Sequence, residues 1–120
     1  MYGLDKNTDL NFLNGREVTQ VAIGVHQVQF AFDEDVTIYV EGGFSYFDGK
    51  NVMVWKPEPG AADIASRTSA LLGSRVDSFQ GHENGTLTLE FSNGHRLTIP
   101  DSSKQYESYQ ITRPGTTIVV

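Results

Sequence analysis

Cysteine is absent from this 120-residue chain. That excludes a disulfide framework, thiol catalysis and cysteine-based metal sites, and it fits a reducing compartment. Proline is sparse (4 residues) and there is a single tryptophan. Apolar runs extend only a few residues, well short of the roughly 20 that a membrane-spanning helix needs. The start, Met-Tyr-Gly-Leu-Asp-Lys, lacks the basic and then apolar pattern of a secretory leader. A cytoplasmic location is therefore the expectation, with no membrane partner. Positive charge is also scarce. Nine bases face fifteen acids, a formal net charge of −6, and Lys6, Arg16, Lys50, Lys56, Arg67, Arg75, Arg96, Lys104 and Arg113 are scattered along the chain. Nucleic-acid binding needs clustered bases to displace counterions, so no nucleic-acid partner is expected. An acidic surface favours solubility and steers encounters toward basic partners.

What the chain does contain is ordinary globular chemistry, 38% hydrophobic and 11% aromatic, enough to bury a core without metals or cross-links. The length fits one domain over residues 1–120. A repeat organises it, at about 13–42 and 72–101. Leu13, Arg16, Phe32, Ile38 and Val40 recur as Leu72, Arg75, Phe91, Leu97 and Ile99 at a constant offset of 59. A one-residue slip at Val18/Val76 is ascribed to an extra Glu17 in the first copy.

Within each copy the apolar residues have period two. Val28, Phe30 and Phe32 alternate with Gln27, Gln29 and Ala31, and Leu87, Leu89 and Phe91 alternate with Thr86, Thr88 and Glu90. Successive strand side chains point to opposite faces, so each set marks one buried face. Asn93-Gly94 after the second set is a strong hairpin signal. The first copy has Asp33-Glu34-Asp35 there, which puts Asp35 where Gly94 stands. Three strands per copy follow, at roughly 17–23, 26–32 and 36–41, then 75–80, 85–91 and 95–99. Strand-like stretches at 44–47, 51–55, 106–111 and 116–120 lie outside them, and a helix is predicted over about 61–72. The fold class is mainly β with one short helix: two pseudo-symmetric three-stranded hairpin repeats forming a β-sandwich or a partly open barrel.

The order of several motifs, Leu13-x-Gly15-Arg16-x-Val18, Val28-x-Phe30-x-Phe32-Asp33 and Ile38-x-Val40-Glu41-Gly42, resembles a bacterial family of uncharacterised small proteins, DUF6188. Gly85-x-Leu87-x-Leu89-x-Phe91-x-x-Gly94, Tyr106-Glu107-x-Tyr109-x-Ile111 and Pro114-Gly115 continue the likeness. The first hairpin lacks the family's usual glycine, and Tyr109 stands where Trp is frequent. The resemblance brings no catalytic residues. Its size, charge and build are similar to those of immunity proteins that neutralise bacterial toxins.

No catalytic constellation is legible. His26, His82 and His95 lack zinc-ligand spacing, the serines lack a nucleophile elbow, and no phosphate-binding loop occurs. No cofactor or metal is expected. The leading functional expectation is an immunity-type inhibitor of a basic toxin domain. Its contact residues are taken as Asp33, Glu34, Asp35, Glu41 and Asp48, with Tyr46 or Trp55 as an aromatic anchor. For the aromatic middle segment, core packing is the competing reading. An assembly module is the alternative, a homodimer joined through an edge strand such as 116–120. A second alternative is a small-ligand protein or enzyme with a pocket between the repeats.

Overall fold

Alternating apolar residues become strands with one buried face throughout. The computed structural model describes residues 3–5, 7–57, 64–101 and 107–120. Among them run β1 (Val18–Ile23), β2 (Val28–Phe32), β3 (Thr37–Val40), β4 (Phe44–Phe47), β5 (Val52–Trp55), α1 (Ile64–Thr68), β6 (Val76–Gly81), β7 (Leu87–Phe91), β8 (Arg96–Ile99), β9 (Tyr109–Arg113) and β10 (Thr116–Val119). Single 3-10 turns, Asn11–Leu13 and Ser69–Leu71, precede β1 and β6. Positions 61–63 of the predicted helix lie outside the described residues. The helix proper is short, and Thr68 is buried within it because its hydroxyl donates to the Ile64 carbonyl at 2.7 Å.

The ten strands form two antiparallel five-stranded sheets, ordered β1-β2-β3-β9-β10 and β5-β4-β8-β7-β6. The molecule is mainly β, a sandwich rather than a closed barrel. Each three-stranded meander is completed by a hairpin from the other half of the chain. β4–β5 follows the first meander but pairs with β8 of the second, through Tyr46 opposite Leu97. β9–β10 follows the second meander and pairs with β3, through Ile111 opposite Ile38. The repeating unit is thus five strands long, and the two units exchange their last hairpins.

An internal two-fold axis runs between Glu17 and Arg75, which form an antiparallel bridge. The bonds around it are reciprocal. Gly15 N–H donates to Val76 O and Gly73 N–H to Val18 O, while Val18 N–H donates to Ser74 O and Val76 N–H to Arg16 O, all at 2.9 Å. Leu13 therefore corresponds to Leu71, not to Leu72. Both Leu13 and Leu71 are fully buried, whereas Leu72 is 51% exposed. Arg75 corresponds to Glu17 rather than to Arg16. The extra residue lies not at Glu17 but in the turn after β6, which spans 82–86 where the first copy has only 24–27.

Phe32 and Phe91 hold matching places, each opposite the first valine of its neighbouring strand, Val18 or Val76. The inward rows meet in one apolar core. Phe30 meets Phe44 of the other sheet edge-on at 5.3 Å, and Phe44 stacks on Trp55 at 5.5 Å. Each such aromatic pair adds about 0.5–1.5 kcal/mol beyond the area it buries. Among the described residues no helix is long and apolar enough to cross a membrane.

Candidate partner-binding surface

Hydrogen bonds link the turn residues into two opposed groups. The first surrounds the Glu17–Arg75 bridge. Asp33 Oδ1 accepts the Glu17 N–H at 3.2 Å, and Ser92 Oγ accepts the equivalent Arg75 N–H at 3.0 Å. A carboxylate and a hydroxyl thus fill the same bonding position. Arg75 reaches the Gly15 carbonyl at 3.0 Å and Glu17 Oε1 at 3.2 Å. Arg16 bonds the Phe12 carbonyl at 2.8 Å and lies 3.8 Å from Asp33. Arg113 stacks over the Phe12 ring at 4.5 Å. Asn93 donates to the Ala70 carbonyl, and Arg67 meets Asp48 at 3.5 Å. Arg96 pairs with Glu90 at 3.1 Å and roofs the Phe47 ring at 5.3 Å. Arg16, Arg75 and Arg113, distant in sequence, gather beside the bridge through Phe12, Gly15 and Glu17, while Arg67 and Arg96 hold Asp48 and Glu90 at the same end of the strands. That clustering needs tertiary pairing and was not visible in the sequence.

The bridge end therefore carries mixed charge. Asp33 and Asp48, both expected contact residues, already face arginines. Asp48 also accepts the backbone N–H groups of Asn51 (2.7 Å) and Lys50 (2.9 Å), which hold its carboxyl below the ordinary aspartate value; Arg67 and His95 lower it further. Glu34 and Asp35 are exposed and, among the described residues, have no ion pair. Both take left-handed backbone angles, φ 60° and 58°. Only Asp35 was expected to do so, but a type I′ turn demands it of both central residues.

Tyr46 and Trp55 are core residues, 1% and 2% exposed. Neither presents an anchor at the surface, because the register of β4 and β5 points them between the sheets. Phe47, their outward-facing neighbour, is the aromatic that reaches the outer face. The Tyr46 hydroxyl shares a hydrogen bond with His95 Nδ1. Burial, and secondarily the charge of Asp48, pushes this phenol up to about 12.

The second group lies at the opposite ends of the strands and is organised by Asp101. One carboxylate oxygen accepts the Gly3 N–H at 2.8 Å, and the other accepts the Ser108 hydroxyl at 2.7 Å. Gly85 packs against it so closely that a Cβ there would lie 2.4 Å from the Asp101 Cβ. The buried Tyr109 hydroxyl donates to the Gly85 carbonyl at 2.7 Å, and burial raises its pKa. Glu41 N–H donates to the Ser108 carbonyl, and Leu4 N–H to that of Glu83. These bonds bring Asp5, Glu41, Glu83, Asp101 and Glu107 to one end. Lys56, beside Gly43, is the described base there. Lys6 and Lys104 lie outside the described residues.

Between the N-terminal segment and β6 this end holds an open cavity of about 420 Å³, floored by Leu4, Leu10 and Phe79 and rimmed by Asp5, His82 and Glu83. Of the expected contact residues, Glu41 alone belongs to this end; its carboxylate accepts a bond from Gln27 at 3.3 Å. Among the described residues, no three His, Asp or Glu side chains converge as metal ligands. His26 and His82 occupy separate turns, and His95 is engaged by Tyr46.

The profile of the family of unknown function DUF6188 matches residues 10–120. The chain belongs to that family. No curated protein and no solved structure matches it. The match spans both five-stranded units and leaves only the first nine residues outside.

Proposed function

We propose that this DUF6188 protein is a binding protein of the immunity type, which masks a basic protein domain with its acidic end; a bacterial nuclease-type toxin domain is the partner class. The observation that supports this reading is the uneven charge of the two strand ends. The five arginines are committed at the bridge end of the strands, four of them in ion pairs. Among the described residues, the loops around Asp101 carry Asp5, Glu41, Glu83, Asp101 and Glu107 against Lys56. An acidic end beside an apolar-floored cavity suits the cationic side chains of a basic partner, whose aliphatic stems pack while their heads meet carboxylates.

The residues proposed for contact are accordingly Asp5, Glu41, Glu83 and Glu107, with Glu34 and Asp35 as an outlying set. The test is coexpression with the toxin-like product of a neighbouring gene. Capture should weaken in high salt, and the protein should restore growth. The variant Glu41→Lys/Glu83→Lys/Glu107→Lys should lose both properties while remaining folded. Absence of capture and of protection by the unaltered chain would overturn the reading.

A further inference from the structure

Among the described residues, no strand pairs with the outer edge of β5. The Asp48 N–H donates to the Asn51 carbonyl at 3.1 Å, which makes 48/51 a hydrogen-bonded pair. Alternation along an antiparallel ladder then makes Tyr46/Met53 and Phe44/Trp55 the next such pairs. The main-chain groups of Val52 and Val54 consequently point away from β4, across the free edge of the sheet. Their side chains are 65% and 55% exposed. On the outer face Val52 continues the row through Phe47 and its covering Arg96, and Val54 continues the next row, through Ser45 and Thr98.

Lys50 and Lys56 stand two residues beyond these valines on either side, both exposed and, among the described residues, neither in an ion pair. The equivalent edge strand β10 differs. It has Thr117 and Val119 at the matching positions and Gly115 where β5 has Lys50. The two lysines argue against self-pairing. An antiparallel second copy centred on Met53 would set each Lys50 opposite a Lys56, and like charges directly opposed are destabilising. They suit a strand of the opposite charge.

We infer that β5 receives an extended segment of a partner protein as a sixth strand. That segment carries β-branched residues at alternate positions between two acidic residues. Main-chain bonds to Val52 and Val54 supply its affinity, and the lysines supply its selectivity. Lys56 borders the acidic end, but Val52, Val54 and Lys50 lie outside it, and strand addition is read at the Val52 and Val54 amides, so the inference is tested apart from whatever partner that end binds.

The test titrates the full chain, labelled with ¹⁵N, with the peptide acetyl-Glu-Thr-Val-Thr-Val-Thr-Glu-amide and with its Lys-capped counterpart. The acid-capped peptide should shift the amides of Val52 and Val54 and slow their exchange, and should bind at least about fivefold tighter than the Lys-capped one. In Lys50→Glu/Lys56→Glu, whose substitutions lie on the surface, that preference should invert. The inference is overturned if β5 is unmoved, if β10 responds equally, if the charge swap leaves the preference unchanged, or if the same shifts arise from raising the protein concentration alone.

Discussion

Glu17 and Arg75 occupy equivalent positions in the two units and face each other across the internal axis, their side chains 3.2 Å apart. With one residue type at both positions, like groups would be face to face. Opposite charges turn that contact into an ion pair. The side chains are 57% (Arg75) and 40% (Glu17) exposed, so solvent screens the pair and its coupling should lie within about 0.2–1 kcal/mol, declining with salt. A double-mutant cycle on Glu17→Gln and Arg75→Gln, read by urea unfolding, measures it. By contrast Leu13→Ala and Leu71→Ala, each emptying a fully buried site beside the axis, should each cost about 2–5 kcal/mol. A coupling larger than either leucine loss would contradict this division between charge and packing.

The Asp33–Val36 turn stores backbone strain. Glu34 and Asp35 both adopt left-handed φ, which costs L-residues roughly 1–2 kcal/mol each. The second unit avoids this with Gly94 at φ 85°. Replacing Asp35→Gly should stabilise the protein by up to about 1 kcal/mol, and Glu34→Asn with Asp35→Gly by more, because Asn-Gly suits a type I′ turn. Thermal unfolding of the two variants is the check. A lowered midpoint for Asp35→Gly would show that the aspartate supplies a compensating contact.

Stability at alkaline pH should depend on Tyr46. Its folded-state value is about 12 against an ordinary 10.0. The folded chain retains a proton that the unfolded chain releases, so this contribution is intact below pH 10 and is lost as pH rises from there to about 12. Buried Tyr109, raised by the same cause, acts in the same direction. Urea unfolding at several pH values should show stability falling across that window, and Tyr46→Phe should make the slope shallower even if it weakens the protein by removing the bond to His95. Asp48 acts at the other extreme. Its lowered value stabilises the fold above the ordinary aspartate pKa and is lost as pH falls through the folded value, so Asp48→Asn should flatten the acid limb. A rise in tyrosinate absorbance near pH 10 in the folded protein that Tyr46→Phe diminishes would refute the alkaline prediction.

The strands were legible because their signal is local. A period-two run such as Val28-x-Phe30-x-Phe32 fixes one buried face without knowledge of its neighbour. Pairing was not legible in the same way. Nothing in Phe44–Phe47 declares that it joins the second meander, since either sheet would bury Phe44 and Tyr46. The exchange also hid the arginine cluster, because Arg16, Arg75 and Arg113 meet only once Glu17 faces Arg75 and β9 lies beside β3. The repeat was seen, but its register was set by Leu72 and Arg75. Burial of Leu71 and the reciprocal glycine bonds reset it by one residue. The acidic residues were chosen by sequence clustering, and that favoured Asp33-Glu34-Asp35. The more one-sided set, around Asp101, is assembled from four separate segments and has no signature along the chain.

Gly85 should control the shape of that acidic end. It has φ 95°, and a Cβ there would meet the Asp101 side chain at 2.4 Å. Gly94 also has positive φ, but a Cβ there would meet nothing within 4 Å. Gly94→Ala should therefore carry only the conformational cost, about 1 kcal/mol. Gly85→Ala adds a clash that can be relieved only by moving Asp101 away from the Gly3 N–H and the Ser108 hydroxyl, so its loss of stability should clearly exceed that of Gly94→Ala. The Gly3 amide, which Asp101 holds, should exchange faster in Gly85→Ala alone, while the Ser108 amide, which donates to the Val120 carbonyl, and amides beside the Glu17–Arg75 bridge should be unaffected. Equal losses from the two substitutions, with unchanged exchange at Gly3, would mean that the loops around Asp101 are not held by that carboxylate.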